Sequence, residues 1–380
     1  MYLVLKHTHV IAGVMQGSLK KLSVWLKWPV FFTETFSFIV VLLLIMGQIT
    51  IKELAQRLNL SISTVSRALS DSYEISQATR DKVKLLAQEL NYTPNLYASS
   101  LRSQKSKTIA VIIPEILNNF FALAIDGIEE IAQQHGYHVL IYLTHDDHVK
   151  EAAMVQHLLN GRVDGILMSV ASETNEANHI AEFVNMEIPV VFFDRVFDDF
   201  KTVKIVTDDH QSGYNATSHL FERGCMDVAY LSISQNLSID KKRMDGYLDA
   251  CKKFNLQSRV INCTQNDDDN REILTKALAG SNAPDGIFAS VEKLAITTYE
   301  VCHALDINIP GKLKIVSFSN LRIASLLKPS LTTIAQPAFE IGKQAALALF
   351  RALKNNTVFT KSEEIVIPST LIERDSTAAR

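Results

Sequence analysis

One cluster of short polar side chains has the chemistry to contact DNA. Between positions 61 and 67 the sequence places hydroxyl side chains and a single arginine among a few apolar residues. Hydroxyl and guanidinium groups form hydrogen bonds to base edges and phosphates in a major groove. In a helix, the residues on the outer face or near the N-terminus are Ile62, Ser63, Thr64, Ser66 and Arg67. We therefore predict a helix whose N-terminal end enters a major groove.

Two other clusters contain metal-binding side chains, but neither has a complete ligand set. The segment His145–His148 reads His-Asp-Asp-His, and no third separated ligand is evident in the sequence. The segment Asp267–Asp269 lacks the glycine and the distal glutamate of a calcium loop, and it predicts a solvated turn. The sequence also lacks G-x-S-x-G, a Walker loop and a G-x-G-x-x-G after a strand. We predict no metal site, no cofactor, no catalytic residue and no enzymatic activity.

The polar helix belongs to a predicted bundle of three helices. Thr50 and Glu53 form a capping box, which predicts that the first helix begins at Ile51. Ser61 and Ser76 occupy the N-cap positions of the second and third helices. Apolar residues recur at i, i+3, i+4 and i+7 in the first helix, as expected for one buried face. The pattern alone also fits an ordinary three-helix bundle that does not bind nucleic acid.

Three motifs of this region occur in the order and at the spacing of a known family. They are T-I-K-E-L-A-Q-R-L-N-L-S-I-S-T-V-S-R-A-L, I-S-Q-A-T-R-D-K-V and L-N-Y-T-P-N-L-Y-A-S-S-L. Together they resemble the DNA-binding headpiece of the lactose-repressor (LacI/GalR) family. Thr64, Ser66 and Arg67 match positions that contact bases or phosphates. The DNA-binding residues that the resemblance implies are Thr50, Ser61, Ile62, Ser63, Thr64, Ser66, Arg67, Asn95, Ala98 and Leu101.

The resemblance implies separate roles for two groups within this set. Ile62 and Ser63 match the two positions that choose the operator sequence, although Ile62 departs from the family's frequent tyrosine or polar residue. Asn95, Ala98 and Leu101 match a hinge helix, whose leucine wedges between base pairs in the minor groove. Such an apolar wedge unstacks one base step and bends the duplex.

The composition is that of a globular protein with two or three domains. The chain has 380 residues, of which 47% are hydrophobic and 21% are charged. Residues 46–105 carry eight Lys/Arg against five Asp/Glu, whereas residues 106–380 carry 26 against 35. A basic head on an acidic body predicts phosphate contact by the head alone. The four cysteines have no CxxC spacing, which predicts neither a zinc site nor a disulfide framework and favours a reducing cytoplasm.

The first forty-five residues allow three interpretations. Lysines precede an uncharged apolar run from Thr35 to Met46, which is shorter than the ~20 residues that a spanning helix needs. No small-residue cleavage site follows this run. The segment is therefore a marginal membrane anchor, a disordered or loosely helical extension, or a stretch upstream of a translation start at Met46. We favour the last, because the family's headpiece normally begins there.

Strand and helix patterns alternate in two successive rounds after a polar linker. The first round spans Thr108–Phe193 and the second spans Val228–Phe318, with predicted helices at Lys242–Phe254 and Arg271–Ala279. Regular alternation predicts parallel sheets with helices on both faces. Two rounds predict two similar lobes with a cleft between them. Ligands of such sheets bind beyond the carboxyl ends of the strands, which are expected to face the cleft.

This body resembles the periplasmic-binding-protein-like (type I) effector domain of the same family. The matching stretches include I-A-V-I-I-P, R-V-D-G-I-L, I-P-V-V-F-F-D-R, R-M-D-G-Y-L-D-A and P-S-L-T-T-I-A-Q-P. The resemblance implies aromatic residues that stack on a sugar or base ring and arginines that bind hydroxyls or carboxylates. The effector-binding residues that it implies are Asn118, Phe120, Phe121, Asp147, Asp194, Arg195, Asp208, Arg243, Glu292 and Ser319.

The body departs from the family pattern at three places. Val291-Glu292 stands where the family usually has Asn-Asp, and Ser317–Asn320 stands where Gly-Phe-Asp-Asp is common. Asn118-Asn119 replaces the usual Asn-Pro. These departures imply a different pocket shape, so the resemblance does not identify the effector.

The C-terminal tail bears on the oligomeric state. The tail from Ser369 to Arg380 is short and polar and has no leucine heptads, so a coiled-coil tetramer is not expected. One headpiece reads only a half-site of a twofold operator. The prediction is therefore a homodimer.

The sequence as a whole predicts a multi-domain protein with an all-α helix-turn-helix headpiece and an α/β two-lobed effector domain. The predicted divisions are residues 1–45, a headpiece at 46–94, a hinge and linker at 95–106, and the effector domain at 107–380. The predicted function is cytoplasmic transcriptional regulation through double-stranded operator DNA and a small sugar-like effector, without stable membrane association. One alternative is a membrane-tethered solute-binding sensor anchored by the N-terminal apolar segment. An enzyme on the same scaffold is the third option.

Overall fold

The computed structural model describes residues 49–92, 105–159, 163–172, 174, 176–234 and 237–379. They belong to two compact units, which divide between Asn95 and Leu96. The predicted hinge residues Asn95, Ala98 and Leu101 lie outside the described residues, as does the extension 1–45. None of the helices in the described ranges is both long and apolar enough to cross a membrane.

Three helices form the described part of the first unit, and they begin at the predicted caps. They are α1 (Ile51–Leu58), α2 (Ile62–Leu69) and α3 (Gln77–Glu89). Thr50 Oγ1 accepts a hydrogen bond from the N–H of Glu53 at 3.3 Å, and the Glu53 carboxylate accepts one from the N–H of Thr50 at 2.8 Å. The hydroxyls of Ser61 and Ser76 cap α2 and α3. The predicted capping box and both serine caps are confirmed.

A left-handed residue and a small core hold these helices together. Asn59 ends α1 with φ 53° and ψ 41°, a conformation that asparagine tolerates better than most residues. The chain therefore turns sharply into α2. Leu54, Val65 and Val83 come from the three helices in turn and are fully buried. Packing through this face leaves the opposite side of α2 at the surface.

The second unit contains two six-stranded sheets and the helices that cover them. Its strands are β1 (Thr108–Ile113), β2 (His138–Leu143), β3 (Gly165–Met168), β4 (Val190–Phe193), β5 (Val203–Thr207), β6 (Val228–Ser232), β7 (Arg259–Asn262), β8 (Gly286–Ala289), β9 (Lys314–Phe318), β10 (Thr332–Ala335), β11 (Glu363–Ile367) and β12 (Thr370–Ile372). Its α-helices are α4 (Asn119–Gln134), α5 (His148–Leu158), α6 (Asn178–Asn185), α7 (Asp209–Glu222), α8 (Ser238–Phe254), α9 (Asp267–Leu278), α10 (Glu292–Ala304) and α11 (Ala338–Asn355).

Each sheet is the centre of one lobe. Lobe 1 has the strand order β11-β5-β4-β3-β1-β2, and lobe 2 has the order β12-β10-β9-β8-β6-β7. All neighbouring strands run parallel except β10 and β12. The central strands β3, β4, β6, β8 and β9 are buried throughout, as expected for sheets covered on both faces. Two doubly wound lobes confirm the predicted α/β body.

The chain crosses between the lobes three times rather than once. It leaves lobe 1 after β5, returns after β10 to form α11 and β11, and leaves again to form β12. Helix α11 packs on α4 and on the lobe 1 sheet through Ile341, Ala345 and Leu349, all fully buried. The sequence prediction of two successive lobes missed this return, because alternation along the chain does not show which sheet a late strand joins.

Three local predictions were wrong. Helix α8 begins at Ser238 rather than Lys242, and α9 begins at Asp267 rather than Arg271. The segment Asp267–Asp269 is therefore not a solvated turn but the first turn of α9, where the helix dipole favours acidic residues. The C-terminal tail, predicted as short and polar, also contributes β12 to the lobe 2 sheet and the fully buried Ser376, which the sequence did not predict.

Helix packing in lobe 1 provides a test of the fold. Gly342 on α11 lies so close to α4 that a Cβ atom there would be 1.9 Å from the carbonyl oxygen of Ala124. We expect Gly342→Ala to destabilise the second unit by about 1–3 kcal/mol, because the helices must move apart. Gly280→Ala is the control, since its Cβ would meet nothing nearer than 3.9 Å. Equal urea unfolding midpoints for the two variants would contradict the close packing.

Candidate functional site

The outer face of α2 gathers hydroxyl groups at one helix end. Ser61 Oγ lies 2.7 Å from Ser63 Oγ and 2.8 Å from Thr64 Oγ1, and it accepts a hydrogen bond from the Thr64 N–H at 3.1 Å. Ile62 stands beside them with 43% of its surface exposed. An exposed isoleucine among hydroxyls can contact a thymine methyl while its neighbours bind polar base edges. These residues form one surface at the N-terminus of the helix.

Three other predicted DNA-binding residues complete this surface or support it. Arg67 Nη1 forms an ion pair with Glu74 Oε2 at 2.8 Å, and both side chains are about half exposed. An exposed pair of this kind contributes about 0–1 kcal/mol, so the guanidinium can exchange Glu74 for a phosphate with little loss. Ser66 is half-buried on α2. The Thr50 side chain is occupied by the cap of α1.

A cavity lies between the two lobes of the second unit. Eight of the ten predicted effector residues line it: Asn118, Phe120, Phe121, Asp194, Arg195, Arg243, Glu292 and Ser319. Lining residues that the sequence reasoning missed are Ile239, Val291, Phe318, Asn320 and Gln336. The cavity is small, with a volume of about 30 Å³. A ligand of sugar size therefore requires the lobes or their side chains to move apart.

Arg243 is the most enclosed charged group of the cleft. Its side chain is 3% exposed, and its Nε donates to Asp209 Oδ1 at 2.7 Å. Its Nη1 donates to the carbonyl oxygen of Ser290 at 2.7 Å, and the guanidinium lies 3.6 Å from the ring centroid of Phe318. Although burial opposes the charge, the carboxylates of Asp209 and Asp194 raise the pKa of Arg243. Its buried Nη2 has no hydrogen-bond partner among the described residues.

Two glycines bring the partners of this ion pair together. A Cβ at Gly213 on α7 would lie 2.4 Å from the carbonyl oxygen of Arg243 on α8. A Cβ at Gly246 on α8 would lie 2.0 Å from the carbonyl oxygen of His210 on α7. The two helices therefore touch backbone to backbone, which places Asp209 at the start of α7 against Arg243.

Arg195 and Asp194 follow β4 and line the cleft from lobe 1. Arg195 Nη1 donates to Asp146 Oδ1 at 2.8 Å, while its buried Nε has no hydrogen-bond partner among the described residues. Asp194 takes the left-handed conformation with φ 61°, which an aspartate tolerates. Burial raises the pKa of Asp194 to about 6, although Arg195 and Arg243 favour its charged form.

Glu292 joins the two lobes across the cavity. Its Oε2 accepts hydrogen bonds from Ser319 Oγ at 2.9 Å and from the N–H of Asn320 at 3.2 Å, both in lobe 2. Burial raises the pKa of Glu292, while these donors and the backbone N–H of Asn119 in lobe 1 favour the charged form. A longer acid at this position therefore reaches the first turn of α4.

Two predicted effector residues lie outside the cavity lining. Asp147 caps α5, accepting hydrogen bonds from the N–H groups of Val149 at 2.8 Å and Lys150 at 3.1 Å. Asp208 lies where the chain crosses between lobes and accepts a hydrogen bond from the N–H of Ser369 at 2.7 Å. Asp209, and not its neighbour Asp208, contacts Arg243. The turn into α7 decides which of the two carboxylates does so.

The pKa of Asp194 predicts how stability depends on pH. Its ordinary pKa is 3.8 and its folded value is about 6, so its contribution to stability is present below pH 3.8 and lost as pH rises through 6. We expect the free energy of unfolding of Asp194→Asn, relative to that of the wild type, to rise between about pH 4 and about pH 7.5, by at most about 3 kcal/mol. Asp306→Asn is the control, because Asp306 has a similar φ of 53° but is exposed. Urea unfolding at both pH values measures this difference, and a constant difference would contradict the raised pKa.

Comparisons with known proteins identify the family. Residues 106–375 match the family described as periplasmic binding proteins and sugar binding domain of LacI family. Residues 50–95 match the family described as bacterial regulatory proteins, lacI family. The HTH-type transcriptional regulator DegA of Bacillus subtilis is 30% identical over 333 residues, which is 87% of this chain and 98% of that protein. The headpiece match favours a regulator over a membrane-tethered sensor.

Solved structures that are similar to the chain include the following two. A periplasmic binding protein/LacI transcriptional regulator from Alkaliphilus metalliredigens, complexed with D-xylulofuranose, is 29% identical with a TM-score of 0.63, over 72% of this chain and all of that one. The lac repressor dimer bound to operator and an anti-inducer is 20% identical with a TM-score of 0.78, over 88% of this chain and all of that one, and shows the same fold. The chain belongs to the LacI family of bacterial regulatory proteins and is a DNA-binding transcriptional regulator.

Proposed function

We propose that this regulator is a cytoplasmic homodimer whose binding to operator DNA is controlled by a small neutral sugar in the interlobe cavity. The observation that carries the proposal is the pair of buried guanidinium N–H groups, on Arg195 and Arg243, that have no partner among the described residues. An unpaired buried donor destabilises the fold by about 1–3 kcal/mol. A ligand with oxygen acceptors removes this penalty when it binds.

A sugar fits the rest of the cavity wall. Phe120, Phe121 and Phe318 offer apolar surfaces next to the arginines. A sugar ring presents hydroxyl oxygens at its rim and C–H groups on its faces, so it can bind both kinds of surface. D-xylulofuranose bound to the relative from Alkaliphilus metalliredigens supports this class of ligand.

The charges of the cavity favour a neutral sugar over a phosphorylated one. Arg243 is already paired with Asp209, and Arg195 with Asp146. Two further carboxyl groups, on Asp194 and Glu292, also line the cavity. A phosphate group therefore meets no unpaired cation in the lining, and like charges nearby oppose its binding.

Lobe movement links the cavity to DNA binding in this proposal. The nearly closed cavity must open to admit a sugar, and Glu292 then separates from one lobe or the other. A ligand that binds one arrangement more tightly shifts the population toward it, and the DNA affinity of the dimer shifts with it. Two headpieces are needed because each reads one half-site.

Sugar selectivity tests the cavity. We expect neutral pentoses or hexoses to raise the melting temperature of the full chain, and their phosphorylated counterparts to leave it unchanged. Arg195→Lys should weaken binding of the stabilising sugar by about tenfold or more, because it removes the planar guanidinium donor. Arg322→Lys, at an exposed arginine of lobe 2, should not. A larger shift with phosphorylated sugars would contradict the charge argument.

DNA selection tests the headpiece. We expect Arg67→Ala to weaken binding to sequences selected from a random DNA library, because the variant loses its phosphate or base contact. Loss of a phosphate contact lowers affinity for all sequences alike. Loss of a guanine contact instead lowers the binding free energy at one base pair of the DNA site, by about 1–3 kcal/mol. Arg57→Ala removes an equal charge from the exposed surface of α1 and is the control. Identical affinities and selected sequences for both variants would contradict the role of α2.

A further inference from the structure

A cluster of metal-ligand side chains lies in lobe 1, outside the lining of the cavity. His148 begins α5, Glu151 follows one helical turn later, and His179 lies in the first turn of α6. Residues three apart share one face of a helix. Helix α5 therefore presents His148 and Glu151 together toward His179. One nitrogen of each histidine and a carboxylate oxygen all lie within 4.8 Å of one another.

The centre of this cluster is a fully buried carboxylate. Glu151 has no exposed surface, and His179 is 10% exposed. Glu151 Oε2 accepts the N–H of Ala171 at 2.7 Å, and its Oε1 accepts the Thr174 hydroxyl at 2.7 Å and His179 Nε2 at 2.8 Å. A carboxylate removed from water requires a cation or several hydrogen bonds. Within the described residues, its ion-pair partner is a histidine and not a lysine or arginine.

We propose that His148, Glu151 and His179 bind a zinc ion. Two imidazole nitrogens and one carboxylate oxygen form a ligand set that zinc takes in proteins, with a fourth position left for water. Calcium and magnesium bind oxygen ligands almost exclusively and are not expected here. Ala171 and Thr174 act as the outer partners that fix a ligating carboxylate. Sequence inspection missed the site because its third ligand lies 28 positions beyond Glu151.

The geometry requires small movements for zinc to bind. Ligand atoms of a tetrahedral zinc ion lie about 3.3–3.6 Å apart, given bonds of about 2.0–2.2 Å. The 2.8 Å separation of His179 Nε2 and Glu151 Oε1 must widen, while the most distant pair must draw together. The two imidazole rings are close neighbours and meet edge to face with centroids 5.0 Å apart.

Zinc binding displaces a proton from the internal hydrogen bond. His179 Nε2 donates to Glu151 in the metal-free structure. For Nε2 to ligate zinc, its proton must leave; a neutral ring transfers it to Nδ1, and a charged ring releases one proton to solvent. Zinc and this proton therefore compete for the same nitrogen.

The proposed zinc site lies next to Asp146, the hydrogen-bond partner of the cavity residue Arg195. Asp146, two residues before His148, accepts hydrogen bonds from Arg195 Nη1 and from the hydroxyl and N–H of Ser172, each at 2.8 Å. A metal that ties the start of α5 to α6 holds this segment in place. The role assigned to zinc is therefore to hold this segment, with water rather than a fourth side chain completing the coordination.

Calorimetric titration of the tag-free, chelator-treated full chain with zinc chloride tests the site. We expect one zinc ion per chain and a melting temperature that rises with zinc but not with magnesium or calcium. His148→Gln should weaken binding at least tenfold, since loss of even an outer partner weakens metal sites by about tenfold or more. His148→Gln keeps the Glu151–His179 hydrogen bond and loses only the ring contact with His179 and the 3.4 Å contact of His148 Nδ1 with Thr174 Oγ1.

His210→Gln is the matched control, because His210 is half exposed and pairs with Asp249 on the surface of lobe 2. This variant should bind zinc like the wild type. Two results would overturn the proposal. One is the absence of zinc binding by the wild type; the other is binding that His148→Gln leaves unchanged, which would locate the zinc elsewhere in the chain.

Discussion

The buried ion pair between Arg243 and Asp209 is the interaction on which the cleft depends. Bringing two charges out of water is strongly unfavourable, and their attraction offsets this only when the geometry is good and the remaining donors are satisfied. Here the geometry is good, at 2.7 Å, and Ser290 satisfies one more donor. One N–H group is left without a partner among the described residues. The pair therefore keeps a guanidinium in the cavity lining with one donor available to a ligand, as the proposed function requires.

The same pair explains several neighbouring features. Helices α7 and α8 must meet backbone to backbone, which is why Gly213 and Gly246 stand at their crossing. Because Asp209 neutralises Arg243, Asp194 lies near the cation without forming a close ion pair, and burial raises its pKa. The cavity can therefore bind a hydroxyl-rich neutral molecule without taking up a counter-charge. Glu292 adds a contact between lobes that ligand binding must rearrange.

Local features of the fold were predictable from the sequence, and features that depend on distant contacts were not. The capping box at Thr50 and the strand Thr108–Ile113 depend on residues a few positions apart, and the predicted bounds are those observed. Helix α8 begins at Ser238 after Leu237, whose side chain makes no cap hydrogen bond, so no cap marked its start. The return of α11 and β11 to lobe 1 depends on packing against α4, more than 200 positions earlier. No local pattern contains that information.

The candidate site shows the same division. The family resemblance predicted that Arg195, Arg243 and Glu292 belong to one site, and all three line the cavity. Their motifs stand at the ends of strands or the starts of helices that face the cleft. The resemblance did not distinguish Asp208 from Asp209, nor did it select Gln336 from a motif that was recognised. Which atom of a recognised motif reaches the ligand depends on backbone turns that spacing does not reveal.

Sugar binding by the double variant Asp209→Leu/Arg243→Met tests the role of the ion pair most directly. Replacing both members of a buried ion pair by well-packed hydrophobic residues of similar volume is often neutral or stabilising, whereas removing one costs about 3–5 kcal/mol. We predict that the double variant unfolds at a urea concentration close to that of the wild type. Calorimetric titration with the neutral sugar that stabilises the wild type should then detect no binding. Binding by the folded double variant with wild-type affinity would show that the cleft does not depend on this ion pair.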